Sequence, residues 1–158
     1  MIGIFFYFIT GILCLTTQLF SRQIFAEYSP DFFLLLTIYF ALFRSSRSSV
    51  TGGFFLGILS DSFSTGRFGT QAFVLTLLGF ISNRITLFVN QESSFAQAVI
   101  TMAISALYFI IFFVLQNTLP WFGQVVFHWV GLVVIIINGI VAVPLFMLLN
   151  SWYKLWKL

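Results

Sequence analysis

From Phe95 to Leu115, and again from Val126 to Leu149, the chain carries no Asp, Glu, Lys or Arg. Apolar runs of about 20 residues match the hydrocarbon thickness of a bilayer. The remainder is little more polar. Of 158 residues, 7 are Lys or Arg and 4 are Asp or Glu, while 60% are hydrophobic. A soluble domain carries roughly 25% charged residues, so this inventory cannot cover a water-facing surface. The same scarcity excludes a disordered chain, a collagen-like repeat and a nucleic-acid module, because the positive charges form no stripe that could follow a phosphate backbone. The expected fold is an all-α integral membrane protein. Its length holds about six transmembrane helices with short loops, one bundle and a single transmembrane domain over 1–158, with no room for a soluble domain.

Ile2 to Phe20 is apolar and closes at Ser21–Arg22. Lacking a basic start and a small-residue cleavage site, it is expected to be a retained first helix and not a signal peptide. A polar connection, Ser21–Asp31, follows, with Pro30 marking the restart. Phe32 to Phe43 is a second, short helix, too short to cross alone unless neighbours or snorkelling ends compensate. The basic loop Arg44–Ser49 leads to another short piece, Val50 to Phe63, rich in glycine and interrupted by Asp61. Ser64–Gly69 is a turn whose glycines, Gly66 and Gly69, can take positive φ. Thr70 to Ile81 is a fourth helix ending at Asn83–Arg84, and polar residues 90–94 separate it from the long spans. Pro120 marks a turn between those spans, and Pro144 is expected to kink the last. The tail from Ser151 has the Trp, Tyr and Lys of a membrane–water interface. Phe supplies 23 residues, expected mainly as lipid-facing bulk.

With both short segments counted as crossings, the termini share one side. That side holds Arg44, Arg47, Arg84, Lys154 and Lys157, and the other Arg22 and Arg67. Positive charge accumulates on the cytoplasmic side of multi-pass proteins, so both ends are expected in the cytoplasm. No inverted repeat of the transporter type is visible.

A carboxylate at the bilayer centre costs about 2.5–3.5 kcal/mol on insertion scales, which singles out Asp61. Gly53, Gly57, Ser60, Asp61 and Ser64 share one helix face, and the Gly-x-x-x-Gly pair at 53 and 57 lets another backbone approach closely. Asp61 either caps the following turn at the interface or sits in that helix–helix contact. Gly131, Ile135, Asn138, Gly139 and Ala142 form a comparable face, with Asn138 as an interhelical hydrogen-bond donor. His128, the sole histidine, is expected at the interface beside Trp129. Cys14, the sole cysteine, allows no intramolecular disulfide. Asp61 has no second acid at dyad spacing, and the sequence has no Ser/His pair, metal-ligand cluster or phosphate loop. No catalytic residue, cofactor or metal is expected.

Pro30-Asp31 precedes the short helix and Arg44–Arg47 follows it; then come Gly52-Gly53-Phe54-Phe55-Leu56-Gly57-Ile58-Leu59-Ser60-Asp61, Gly66 and Gly69. In that order the segment resembles the rod shape-determining protein MreD family. The family pattern is Pro-Asn/Asp, an apolar helix, a basic loop, then Gly-Phe-x-x-Gly-x-x-x-Asp and a downstream Gly. Gly53, Phe54, Gly57, Asp61 and Gly69 occupy those positions; the second half resembles the family in hydropathy profile alone. The resemblance implies a non-enzymatic, multi-pass component of the bacterial cytoplasmic membrane within the elongation machinery. It would scaffold MreC directly through membrane helices. MreB, RodA and the elongation transpeptidase would complete the complex that organises lateral peptidoglycan synthesis and keeps rod shape. Membrane lipid and a second copy of the chain are further expected partners, and nucleic acid is not. Candidate partner or helix-packing residues are Pro30, Asp31, Gly53, Phe54, Gly57, Asp61, Gly69 and Asn138.

The resemblance also implies a fold similar to the substrate-binding subunits of energy-coupling-factor vitamin transporters, which supplies a rival. In that reading the helices enclose a small-solute site, and Arg22, Glu27, Asp31, Arg67, Gln124 and His128 are the polar groups available from the outer loops.

Overall fold

The computed structural model describes residues 2–64, 68–86, 93–118 and 129–157, all of them helical or connecting. Six α-helices follow in order: α1 (Ile2–Phe25), α2 (Phe32–Phe43), α3 (Ser46–Ser62), α4 (Thr70–Thr86), α5 (Ser94–Thr118) and α6 (Trp129–Lys157), with a 3-10 turn at Ala26–Tyr28. No strand occurs among the described residues. α5 and α6 are each long and apolar enough to cross a membrane.

The bounds of α2 match its apolar run, and several other ends shift outward, those of α4 to Thr86 and of α5 to Thr118 among them. α1 continues past Ser21 to Phe25 and, with the 3-10 turn Ala26–Tyr28, takes up most of the polar connection. The basic loop is largely the first turn of α3: the Ser45 side chain accepts from the Ser48 N–H as an N-cap, a role serine fills well because its oxygen satisfies a donor that lacks an intrahelical acceptor. α6 runs unbroken through Pro144 and takes in most of the Trp/Tyr/Lys tail. A proline is tolerated inside a long apolar helix of this kind, because neighbouring helices can satisfy the backbone group it frees.

α2 is the centre of the bundle. Every residue from Phe33 to Leu42 is buried, and α1, α3, α4, α5 and α6 all pack against it. A helix that is apolar all round needs cover on all sides; here protein supplies it. Leu34, Leu35, Ile38 and Tyr39 lock against Val74 and Leu78 of α4, Ile104 of α5 and Phe146 of α6 in one core. The outward surface carries Phe54, Phe55, Phe73, Phe80, Phe113, Ile136 and Ile140, all exposed. Many phenylalanine rings are thus exposed, whereas Phe33, Phe40 and Phe146 are core.

Candidate functional site: a polar belt joining the helices

α3 and α4 form the closest helix pair. Ser49, Gly53, Gly57 and Asp61 recur every four residues on α3 and all are buried. A Cβ on Gly53 would lie 2.5 Å from the Leu75 carbonyl oxygen, and one on Gly79 would lie 2.5 Å from the Ser49 carbonyl oxygen. At Gly57 it would collide with the Ala72 Cα. The backbones therefore meet directly, as small residues permit in membranes. Ser60 is half-buried and Ser64 exposed, so the stripe that packs follows the four-residue spacing and Ser49 extends it.

Asp61 ends the stripe and closes the hairpin. It is 4% exposed. Its Oδ1 accepts from the Gln71 N–H at 3.0 Å, and its Oδ2 accepts from the N–H groups of Gly69 at 2.9 Å and Ala72 at 3.0 Å. The first N–H groups of a helix have no intrahelical acceptor, and a carboxylate there also meets the positive end of the helix dipole. The two sequence readings of Asp61 merge, since it caps α4 from within the tight α3–α4 contact. Gly69 has φ 97°, the left-handed region that favours glycine; Gly66 lies outside the described residues.

The start of α2 is held in the same way. Asp31 is its N-cap, and its Oδ1 accepts from the Leu34 N–H at 3.1 Å. Pro30 before it is buried. The Asp31 N–H donates to Asn138 Oδ1 of α6 at 3.0 Å, and Asn138 Nδ2 donates to Ser105 Oγ of α5 at 3.2 Å. From α1, Gln18 Oε1 accepts from the Phe32 N–H at 2.7 Å. Asn138 is thus both donor and acceptor, with no exposed surface. In the connection before α2, desolvation pushes the Asp31 carboxyl above its ordinary pKa, opposed by the Leu34 N–H and the Arg22 charge.

A tyrosine joins the two caps. Tyr108 of α5 donates to Gln71 Oε1 of α4 at 3.0 Å, while the Gln71 N–H is held by Asp61. The Tyr108 hydroxyl also stands beside the Asp31 carboxylate. Gln18, Asp31, Asp61, Gln71, Tyr108 and Asn138 therefore bring one polar side chain from each segment of the bundle into a continuous belt. Gln18, Gln71, Ser105 and Tyr108 were not singled out by sequence. Ser105 and the Thr16-Thr17-Gln18 run are polar groups inside apolar segments, but no spacing tells which partners they meet.

A second polar group lies at the other end of α2. Arg44 Nη2 donates to the Tyr39 hydroxyl at 3.0 Å, which donates to Asn150 Oδ1 of α6 at 3.1 Å. The Arg44 guanidinium also stacks 3.2 Å from the Tyr153 ring centre. Asn83 Nδ2 of α4 donates to the Ala41 carbonyl at 3.3 Å. Both ends of α2 are thereby pinned.

The sequence candidates thus fall into place unevenly. Pro30, Asp31, Asp61, Gly69 and Asn138 belong to the belt, and Gly53 and Gly57 to the hairpin beneath it. Phe54 points outward, 46% exposed, edge-on to Phe55. Of the rival's loop groups, Arg22 and Glu27 are exposed and Asp31 is engaged as a cap. Arg67, Gln124 and His128 lie outside the described residues, as does the turn at Pro120. Two surface clefts, of about 430 Å³ between α1, α2 and α6 and about 570 Å³ between α1 and α3, include none of those groups in their walls. Among the described residues no cluster of His, Cys, Asp and Glu could hold a metal. The arrangement uses its polar chemistry to fasten helices.

The family model described as rod shape-determining protein MreD matches residues 1–153. No curated protein and no solved structure matches the chain. The expected likeness to energy-coupling-factor substrate-binding subunits therefore has no support, nor does the transporter reading built on it.

Proposed function

The chain belongs to the rod shape-determining protein MreD family, and on that premise we propose that it is a non-enzymatic scaffold of the bacterial cytoplasmic membrane that serves rod-shape determination by holding MreC. The family match over residues 1–153 is the observation that carries this reading. The packing supports it. The half-buried Asp31 and the buried Asp61 and Asn138 fasten helix to helix, which suits a rigid platform. What such a platform offers a partner inside the bilayer is its outward apolar surface.

In this proposal the single domain spans 1–158 with six crossings and both termini cytoplasmic. Arg44, Arg47, Arg84 and Lys154 fall at one end of the bundle and Asp31 and Asp61 at the other, as positive charge on the cytoplasmic side requires. MreC binds directly through its membrane helix; MreB, RodA and the elongation transpeptidase join through the larger assembly. The Gly53–Gly57 face is filled by α4, so the MreC contact uses outward faces, and Gly57→Leu weakens it only by breaking the hairpin. The test is co-purification of MreC with the full-length protein from membranes, beside rescue of rod shape in cells lacking the gene. Recovery of MreC and of rods is expected. A folded protein that rescues neither would sink the scaffold reading.

A further inference from the structure

The cleft between α1 and α3 is walled mainly by apolar groups, and the α3 stripe that lines it is preceded, one turn earlier, by a basic residue. The cleft encloses about 570 Å³ and runs along α3 from Ser48 to Ser62, with Gly11 and Ile12 of α1 opposite. It exists because α1 presents no side chain at Gly11, where an added Cβ would meet nothing within 4 Å. On α3, Thr51, Phe55 and Leu59 line it. Arg47 precedes Thr51 by one turn on that stripe, and is exposed. The Thr51 hydroxyl donates to the Arg47 carbonyl oxygen at 2.7 Å.

We propose that this cleft is a site for an anionic phospholipid, its acyl chain lying between α1 and α3 and its phosphate at Arg47. Charge complementarity selects the headgroup. Arg44, Arg47, Arg84 and Lys154 gather at this end, while Glu27, Asp31 and Asp61 lie at the opposite one. Arg44 is occupied with Tyr39 and Tyr153; Arg47 pairs with no acidic side chain among the described residues. Basic side chains at the mouth of an interhelical groove attract anionic headgroups. The cleft follows α3 over roughly 21 Å and is lined there by Phe55, Leu56 and Leu59. A single acyl chain is narrow enough to enter.

The experiment extracts the full-length protein from vesicles of equal parts phosphatidylcholine and phosphatidylglycerol and weighs retained lipid by native mass spectrometry. Wild type retains phosphatidylglycerol over phosphatidylcholine by about fivefold, the preference one basic residue gives near an anionic surface. Arg47→Gln removes the preference and leaves total retained lipid unchanged. Gly11→Leu fills the cleft and lowers retention of both lipids; Leu59→Trp fills it from α3 should the first variant not fold. Equal retention by wild type overturns the proposal, as does a preference that survives Arg47→Gln. Lipid retention unaffected by a folded cleft-filling variant also overturns it, and loss of MreC from that same variant would reassign the cleft to a protein helix.

Discussion

Gly57 and Asp61, one turn apart on α3, converge on a single residue of α4: the Gly57 backbone abuts the Ala72 Cα, and the Asp61 carboxylate accepts from the Ala72 N–H at 3.0 Å. Steric closeness and cap chemistry thus reinforce each other. The carboxylate reaches Ala72 only because glycine lets the helices touch.

Asp61→Ala removes the acceptor of three N–H groups, those of Gly69, Gln71 and Ala72. The loss should be at least about 2 kcal/mol, since a lost cap costs about 1 and buried donors are left unpaired. Asp61→Asn keeps one acceptor oxygen and should lose about half as much. Thermal unfolding of the purified protein in detergent measures both, and equal stability of Asp61→Ala and wild type would refute the capping role.

Gly57→Ala drives a methyl into the α4 backbone and should cost about 1–3 kcal/mol, the usual range for overpacking. Gly11→Ala meets open space and should be neutral or stabilising by up to about 1 kcal/mol through helix propensity. The same melting experiment separates them by sign.

Asn138→Leu breaks the bond to Ser105 and leaves the Asp31 N–H without its acceptor. Interhelical hydrogen bonds in membranes average about 0.6 kcal/mol and reach about 1.7, so a loss of about 1–3 kcal/mol is expected. Ser105→Ala should cost about 0.6. A double-mutant cycle should find the two non-additive; strict additivity would dissolve the pairing.

Arg44→Lys keeps the charge but not the planar group that stacks on Tyr153, and Arg and Lys are not equivalent at such sites. Part of a cation–π attraction of about 0.5–2 kcal/mol is lost. The end of α6 loosens, and trypsin should cleave after the exposed Lys154 faster than in wild type.

Topology is open to labelling. In a Cys14→Ser background, Ser46→Cys and Ser64→Cys place single thiols at exposed positions at either end of α3. A membrane-impermeant maleimide added to intact spheroplasts should label Ser64→Cys and spare Ser46→Cys. The reverse pattern would invert the assigned orientation.

Much of this architecture was legible in the sequence because hydrocarbon imposes simple demands. The α2 bounds follow from an apolar run between Asp31 and Arg44, and the α3 packing stripe from Gly53, Gly57 and Asp61. What could not be read was which apolar surface meets protein and which meets lipid, because both reward the same residues. α2 looks like a lipid-facing segment and is the most enclosed helix. Tyr108 and Gln71, separated by 37 positions, meet only because the bundle folds. Helix ends also lie beyond the apolar runs where polar residues such as Ser46, Arg47 and Arg84 continue a helix instead of ending it.

The enclosure of α2 bears on how the chain enters the membrane. At 12 residues it reaches about 18 Å, short of the roughly 30 Å hydrocarbon core, with a carboxylate at one end and a guanidinium at the other. Handed alone from a translocon into lipid, it would strand both. In the six-crossing arrangement proposed above, its residence in the bilayer waits on α3 and α4, which bring the cover for its flanks, and the three helices are expected to pass across as a group instead of one after another.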